Sequence, residues 1–492
     1  METFLAPPSA SILIRSLRGF SYTLETALAD VIDNSVTAGA TEVRIFADAN
    51  SGFPRLAVVD DGHGMSATEL MQAMRLGSKN PSFERQSDDL GRFGLGLKTA
   101  SFSQCRRLTV ATRQHGEWHA ARWDLDHVYE TDEWQVQVPP KPEELPWANE
   151  LGEHGTLILW EEIDRVIDSE SLDEIAQEFN RRVASAAKHL ELVFHRFMEG
   201  DRGLRKVSMS LNRSGLTPLN PFNPGSPATI TDPEEVIGVA GAQVRAKTYT
   251  LPHFSKISTG EWEKHAGERG YLREQGFYLY RAGRLIVHGT WFGLAKQTEL
   301  TKLARVRIDI PNGMDDLWKI DVLKASAHPP HVVQQRLRRV VERLGATSKR
   351  VHVNRGRRLT SDESFPVWER RAVHEGIRYG INTNHPAIQD LRRHVGAESE
   401  SELERVLQLL GASLPIDSLV VDLGESPHLV KGNDVDDAAL ELLATTVAEK
   451  ILASGLEWAD VEAMLRSNPV LGSNGTRSEA VIGKIKAQHV AP

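Results

Sequence analysis

Cysteine is all but missing from this chain: Cys105 is the single one in 492 residues. One thiol closes no internal bridge, so no disulfide framework holds the fold, and a cytoplasmic setting is expected. No run of about 18 apolar residues occurs, so no membrane-spanning helix is expected. The opening Met-Glu-Thr-Phe-Leu-Ala-Pro-Pro lacks the basic start and apolar stretch of a signal peptide. Internal repeats and low-complexity tracts are also lacking. Positive charge is not in excess. The formal net charge is −9, which excludes a protein that grips nucleic acid by bulk charge, though not one with a local basic patch. What remains is an ordinary globular composition, 40% hydrophobic and 25% charged. The length is too great for one compact core and calls for two or three domains.

The periodicities alternate between helix and strand, which predicts an α/β (α+β) fold. Leu24, Leu28, Val31 and Ile32 recur at helical spacing and predict a helix over 22–37. Strands are predicted at 42–48 and 55–60, a helix at 68–76, and strands at 107–112, 118–124 and 155–160. Residues 77–90 are polar and without period, as a long loop of the lid type is. A helix is predicted from about 171 to 192.

Three short segments carry polar groups in a chemically useful order. In Ala-Leu-Ala-Asp-Val-Ile-Asp-Asn-Ser, residues 27–35, Asp30 and Asn34 sit one helical turn apart on one face. A carboxylate beside an amide oxygen suits the holding of water and of a hard cation. By itself such a pair is more often a solvated helix face. Asp60-Asp61-Gly62-His63-Gly64 follows a predicted strand. Its glycines permit positive φ and a close backbone approach. Asp60 at the strand end suits an exocyclic amine such as that of adenine. An ordinary turn is an equal reading, and His63 reads as a turn residue because no partner stands at metal-site spacing. Gly91, Gly94 and Gly96 open a further helix, where backbone N–H groups and Lys98 favour phosphate. The ending is not that of a Walker A loop, and a glycine triplet alone is weak evidence.

Taken together and in this order, the segments resemble the N, G1 and G2 boxes of the gyrase B, heat-shock-90, histidine-kinase and MutL ATPase superfamily. Ala29 through Val43 is similar to the MutL and MORC style of N box, and Gly155-Thr156 resembles the late Gly-Thr element. The resemblance spans about residues 10–200 and implies a Bergerat sandwich that holds ATP and Mg²⁺. It assigns nucleotide contacts to Asn34, Asp60, Gly62, Gly64, Met65, Gly91, Gly94, Leu95, Gly96, Leu97, Lys98 and Thr156. Asn34 would coordinate the metal, under a lid of about 77–93. Asp30 stands where hydrolytic members usually carry Glu, so the water-activating carboxylate is one methylene shorter.

A second unit is predicted from near residue 206, with strands at 206–211, 277–281 and 305–310 and a helix at 332–344. The expected domains are therefore 1–203, 204–346 and a helix-rich 347–492. Residues 276–286, Gly-Phe-Tyr-Leu-Tyr-Arg-Ala-Gly-Arg-Leu-Ile, resemble the strand hairpin of MORC transducer domains. Trp318 to Ser326 reads as a strand running into a basic loop. By the same resemblance Lys324 is the candidate for the γ-phosphate, ahead of Lys319 and Lys302. Arg336, Arg338, Arg339, Arg343, Lys349, Arg350, Arg355, Arg357 and Arg358 form a basic run suited to DNA phosphates, or to pairing with acids elsewhere. The resemblance implies an ATP-dependent homodimer acting on DNA, in prokaryotic members beside a nuclease or helicase in antiviral defence. The alternatives are a heat-shock-90-like chaperone, a topoisomerase ATPase subunit and a nucleotide-sensing pseudo-ATPase.

Overall fold

The computed structural model describes Thr3 and residues 8–19, 21–50, 53–77, 90, 96–165, 169, 171–320, 326–353, 367–373, 376–416, 418–419, 434–468, 470–471 and 475–489. The chain divides into two compact units, Met1–Lys349 and Arg350–Pro492.

The first unit opens with helices α1 (Ala10–Arg18) and α2 (Leu24–Thr37), then strands β1 (Glu42–Asp48) and β2 (Arg55–Asp60). Next come α3 (Ala67–Met74), α4 (Gly96–Gln104), β3 (Cys105–Gln114), β4 (Glu117–Asp124), α5 (Leu125–Thr131), β5 (Gly155–Ile163), α6 (Leu172–Val193) and α7 (His195–Glu199). Strands β6 (Ser208–Leu211) and β7 (Ser214–Gly215) complete a sheet of order β4-β3-β5-β2-β1-β6-β7. Its pairings are antiparallel except β1 with β6.

Alternation along the strands separates two faces. Ile158 and Trp160 of β5 join Val43, Ile45 and the apolar side of α2, α4 and α6 in the main core. Leu157 and Leu159 point the other way, with Phe46, Ala57 and Val59, under a short segment that carries Leu145, Trp147 and Leu151. Helix α2 starts where Thr23 caps it with a reciprocal Thr26 bond, and it ends where Gly39 turns to φ +77°. The strand expected to open a second domain at 206–211 instead extends this first sheet, with Val43 opposite Met209. A parallel pairing across some 160 residues leaves no local trace in sequence.

A second sheet follows, with β8 (Ile230–Thr231), β9 (Glu235–Val239) and β10 (Ala242–Thr250). After α8 (Thr259–Ala266) and α9 (Gly270–Arg273) come β11 (Gly276–Arg281), β12 (Arg284–Thr290), β13 (Ala304–Ile310) and α10 (His331–Val353). The order is β12-β11-β13-β10-β8, with β9 also on β10. Phe277 and Leu279 face α10, whose Val333, Leu337, Val340 and Leu344 form one buried stripe. Tyr278 and Tyr280 face the opposite way, into an aromatic cluster with Phe222 and Tyr249 beside α6. Most of the strand expected from Trp318 to Ser326 lies outside the described residues, which omit 321–325; residues 312–320 leading into it form turns. Asn312–Met314 is a 3₁₀ turn, and Trp318 and Ile320 donate backbone bonds to Met314 and Asp315. Buried Trp318 and Ile320 imitate strand alternation, but Asn312, Gly313, Asp315 and Asp316 are turn formers.

The second unit holds a hairpin of β14 (Trp368–Val373) and β15 (Gly376–Ile381). It continues with α11 (Pro386–His394), α12 (Ala397–Ala412), α13 (Asp437–Ala453), α14 (Trp458–Ser467) and α15 (Gly475–His489). Its core gathers Leu440, Ala444, Val447 and Ile451 of α13 with Val461, Leu465 and Ile482. This is the helix-rich C-terminal region that the sequence predicts.

Candidate nucleotide site

The site begins where β2 and β5 lie side by side, with Asp60 opposite Thr156. Asp60 is 4% exposed. Its carboxylate accepts from the Ser35 hydroxyl at 2.7 Å and the Gly62 N–H at 2.9 Å, and from the Thr156 backbone. Burial pushes its carboxyl above the ordinary aspartate range, against the pull of those three bonds. Ser35 follows Asn34 on α2, so its bond to Asp60 ties the N-box helix to the end of β2. Thr112 of β3 completes the floor. Its hydroxyl accepts from Met65 N–H and donates to the Gly155 carbonyl, both at 2.9 Å.

Two glycines here are dictated by space. A Cβ on Gly155 would stand 2.0 Å from the Asp60 carbonyl, and one on Gly64 2.3 Å from the Arg113 carbonyl. Their φ values of +131° and +70° are costly for any other residue. Gly62 does not adopt positive φ, contrary to the expectation for both turn glycines. It serves through its backbone, donating to Asp60 while its carbonyl meets the His154 ring at 2.8 Å. His63 closes a local contact to the Gly64 carbonyl, as a turn residue does.

On α2, Asp30 is 4% exposed although it was expected on the helix face away from the core. The Tyr22 hydroxyl donates to its Oδ2 at 2.9 Å, and Arg284 of β12 meets its Oδ1 at 3.4 Å. Burial and the neighbouring Asp30 raise Tyr22 well above the usual phenol range, so the hydroxyl stays a donor. Asn34 is exposed, and its Nδ2 donates to the Asp30 and Val31 carbonyls. Among the described residues no hydrogen bond engages its Oδ1, the atom a hard cation would take. No cluster of three or more His, Cys, Asp or Glu forms a metal site among those residues.

Helix α4 starts at Gly96, where a Cβ would lie 4.0 Å from Asp30 Oδ2. The start of the helix therefore lies beside the carboxylate. Leu97 is half-buried against the core. Lys98 is not turned to open solvent. It is 2% exposed, and its Nζ donates to the Ala73 carbonyl at 2.8 Å. Gly91, Gly94, Leu95 and Lys324 lie outside the described residues, as does most of the expected lid. Lys319 is exposed, and Lys302 is buried beside Glu299.

Tyr22, Ser35, Thr112 and Arg284 were not singled out from sequence. Ser35 had a signal in its place next to Asn34. Arg284 had one in the hairpin motif, but nothing local connects it to a residue 254 positions away.

Residues 22–156 match the family model described as histidine kinase-, DNA gyrase B- and HSP90-like ATPase. The resemblance read from the N, G1 and Gly-Thr segments thus holds over that stretch. Similar segments occur in the DNA mismatch repair protein MutL of Bradyrhizobium diazoefficiens, 30% identical over 97 residues. Others occur in the ATPase morc-1 of Caenorhabditis elegans, 32% over 111 residues, and in the mouse ATPase MORC2B, 37% over 79 residues. These matches take in 20%, 22% and 15% of this chain and only 16%, 12% and 8% of the relatives' own lengths.

Proposed function

Proceeding from the match of residues 22–156 to that ATPase family, we propose that the chain binds Mg-ATP and hydrolyses it to ADP and phosphate. The cycle closes a homodimer that acts on DNA, in the manner of a MORC- or MutL-like clamp. The observation that carries the reading is the fixed carboxylate of Asp60, set by Ser35, Gly62 and Thr156 beside the Asp30–Asn34 turn of α2. Asp60 accepts the adenine amine, with Thr156 supporting it and Gly62, Gly64 and Met65 forming the base wall. Asn34 Oδ1 would hold the magnesium, whose charge would shield the phosphates. The start of α4 and the glycine segment before it receive the phosphates. Asp30 takes the proton from the attacking water. Lys324, which lies outside the described residues, is the candidate cation for the γ-phosphate.

Calorimetric titration tests the placement. Loss of a buried carboxylate–amine bond costs roughly 1.5–3 kcal/mol, so Asp60→Ala should weaken Mg-ATP binding about tenfold or more. Unchanged affinity would remove Asp60 from the site.

A second reading, nucleotide sensing without turnover, is favoured by one observation: both Asp30 oxygens are already engaged, by Tyr22 and Arg284. Turnover in a preparation that loses it with Asp30→Asn decides against sensing alone. Stimulation of that turnover by DNA separates the clamp from a protein-remodelling chaperone.

A further inference from the structure

The β11–β12 hairpin ends in a two-residue turn, Ala282-Gly283, with an arginine on each side. Both turn residues have positive φ, +47° and +87°, which makes the tip tight. The tip packs on the first sheet's domain. Ala282 lies against its core, and a Cβ on Gly283 would stand 2.5 Å from Leu204. Arg281 forks onto Asp315 at 2.7 and 2.8 Å and donates to the Leu90 carbonyl at 3.0 Å. Arg284 reaches α2. Its Nε meets Asp33 Oδ1 at 2.7 Å, and a terminal nitrogen lies 3.4 Å from Asp30 Oδ1. The side chains of Arg284, Asp30 and Asp33 are 6%, 3% and 2% exposed.

The two distances divide the labour. Asp33 holds the guanidinium in a full charge-assisted bond, whereas Asp30 meets it at the long edge of hydrogen-bond range. Tyr22 fixes the other Asp30 oxygen at 2.9 Å, so the carboxylate is held from two sides. Behind Arg284 the wall is not closed. The residue also lines a cavity of about 630 Å³, with His189 of α6 and Leu285 and Ile286 of β12. The guanidinium rests over the Phe194 ring at 5.7 Å.

We propose that Arg284, seated by Asp33, is a positioning residue for the Asp30 carboxylate, so that the second sheet sets the first domain's water-activating group through its hairpin tip. This rests on the reading of Asp30 as that group. In this reading Arg284 acts through Asp30 and not on the nucleotide. It keeps a carboxylate that is one methylene shorter than Glu from turning away on its remaining freedom. Withdrawal of the hairpin would remove the Arg284 hold on Asp30. Docking of the second sheet and hydrolytic competence are then one event.

The test is steady-state ATP turnover and Mg-ATP affinity of the full chain for Arg284→Ala, Arg284→Lys, Asp30→Asn and the double variant Asp30→Asn/Arg284→Ala. Thermal melts accompany each. Arg284→Ala should lose about tenfold or more in kcat with little change in ATP affinity, a pure transition-state loss. Arg284→Lys should recover part of it. Millimolar guanidinium, which the neighbouring cavity admits, should restore turnover to Arg284→Ala and not to the double variant. The double variant should be no slower than Asp30→Asn. A purely structural arginine would instead lower the melting temperature and ATP affinity together and respond to no added guanidinium, and that result overturns the proposal. Wild-type turnover in Arg284→Ala, with Asp30→Asn inactive, rejects Arg284 and leaves Asp30 standing. Wild-type turnover in Asp30→Asn rejects both.

Discussion

Burial pushes the Asp60 carboxyl upward, and the bonds from Ser35, Gly62 and Thr156 only partly offset that. An acid whose folded pKa stands above its unfolded value, near 3.9 for aspartate, binds its proton more tightly when folded. The stability this gives is present below the unfolded value and is lost as pH rises through the folded one. Holding Asp60 in its charged form therefore costs the protein stability, and the cost is consistent with a binding role. Asp60→Asn keeps the shape and removes the charge. It should melt at or above the wild-type temperature at pH 7 while Mg-ATP affinity falls. A lower melting temperature with affinity unchanged would make Asp60 a structural residue. The placing of Asn34 on a helix turn and of Asp60 at a strand end follows from local periodicity, whereas Asp30, expected away from the core, is buried. The contact of Arg284 with α2 was not legible, since it exists only once α2 meets β12. Lys98 illustrates the converse: a cation at the right position in a motif is folded inward, onto Ala73.

At the scale of elements, the strongly periodic segments were read correctly and the long-range pairings were not. Helix α10 shows both sides. Its buried stripe of Val333, Leu337, Val340 and Leu344 follows from spacing alone. Its charged face leaves Arg336, Arg338, Arg339 and Arg343 exposed, and Arg343 pairs with Glu235 of β9. That pair is one an acid-rich protein would be expected to make, so part of the basic run is already spent inside the unit. Arg355, Arg357 and Arg358 lie outside the described residues. If the rest of this face meets DNA, Arg336→Glu with Arg339→Glu should flatten the slope of log affinity against log salt by about 0.9 per lost phosphate contact. Filter binding across a salt series measures it, and an unchanged slope returns this face to solvent. The strand predicted at 206–211 forms, but on the first sheet, because it pairs in parallel with a partner far away in sequence. Of the strand expected at 318–326, residues 321–325 lie outside the described residues, and 318–320 follow a turn.

For the whole molecule, a net charge of −9 and a covered first sheet argue for action through a defined interface rather than through bulk attraction. In the clamp reading, ATP is what makes that interface. Light scattering at micromolar protein should show the mass doubling with a non-hydrolysable ATP analogue and Mg²⁺, and returning with ADP. One mass under all three conditions would reject the clamp while leaving nucleotide binding intact. In the proposed function, Mg-ATP is turned over at the α2–β2–α4 site by Asp30. The most direct measurement is phosphate release by purified wild-type chain and by Asp30→Asn, each with its Mg-ATP affinity measured in the same buffer. The account predicts that both bind and only the wild type releases phosphate, because an amide cannot take the proton of the attacking water. Equal rates of phosphate release from the two, at equal affinity, would contradict it.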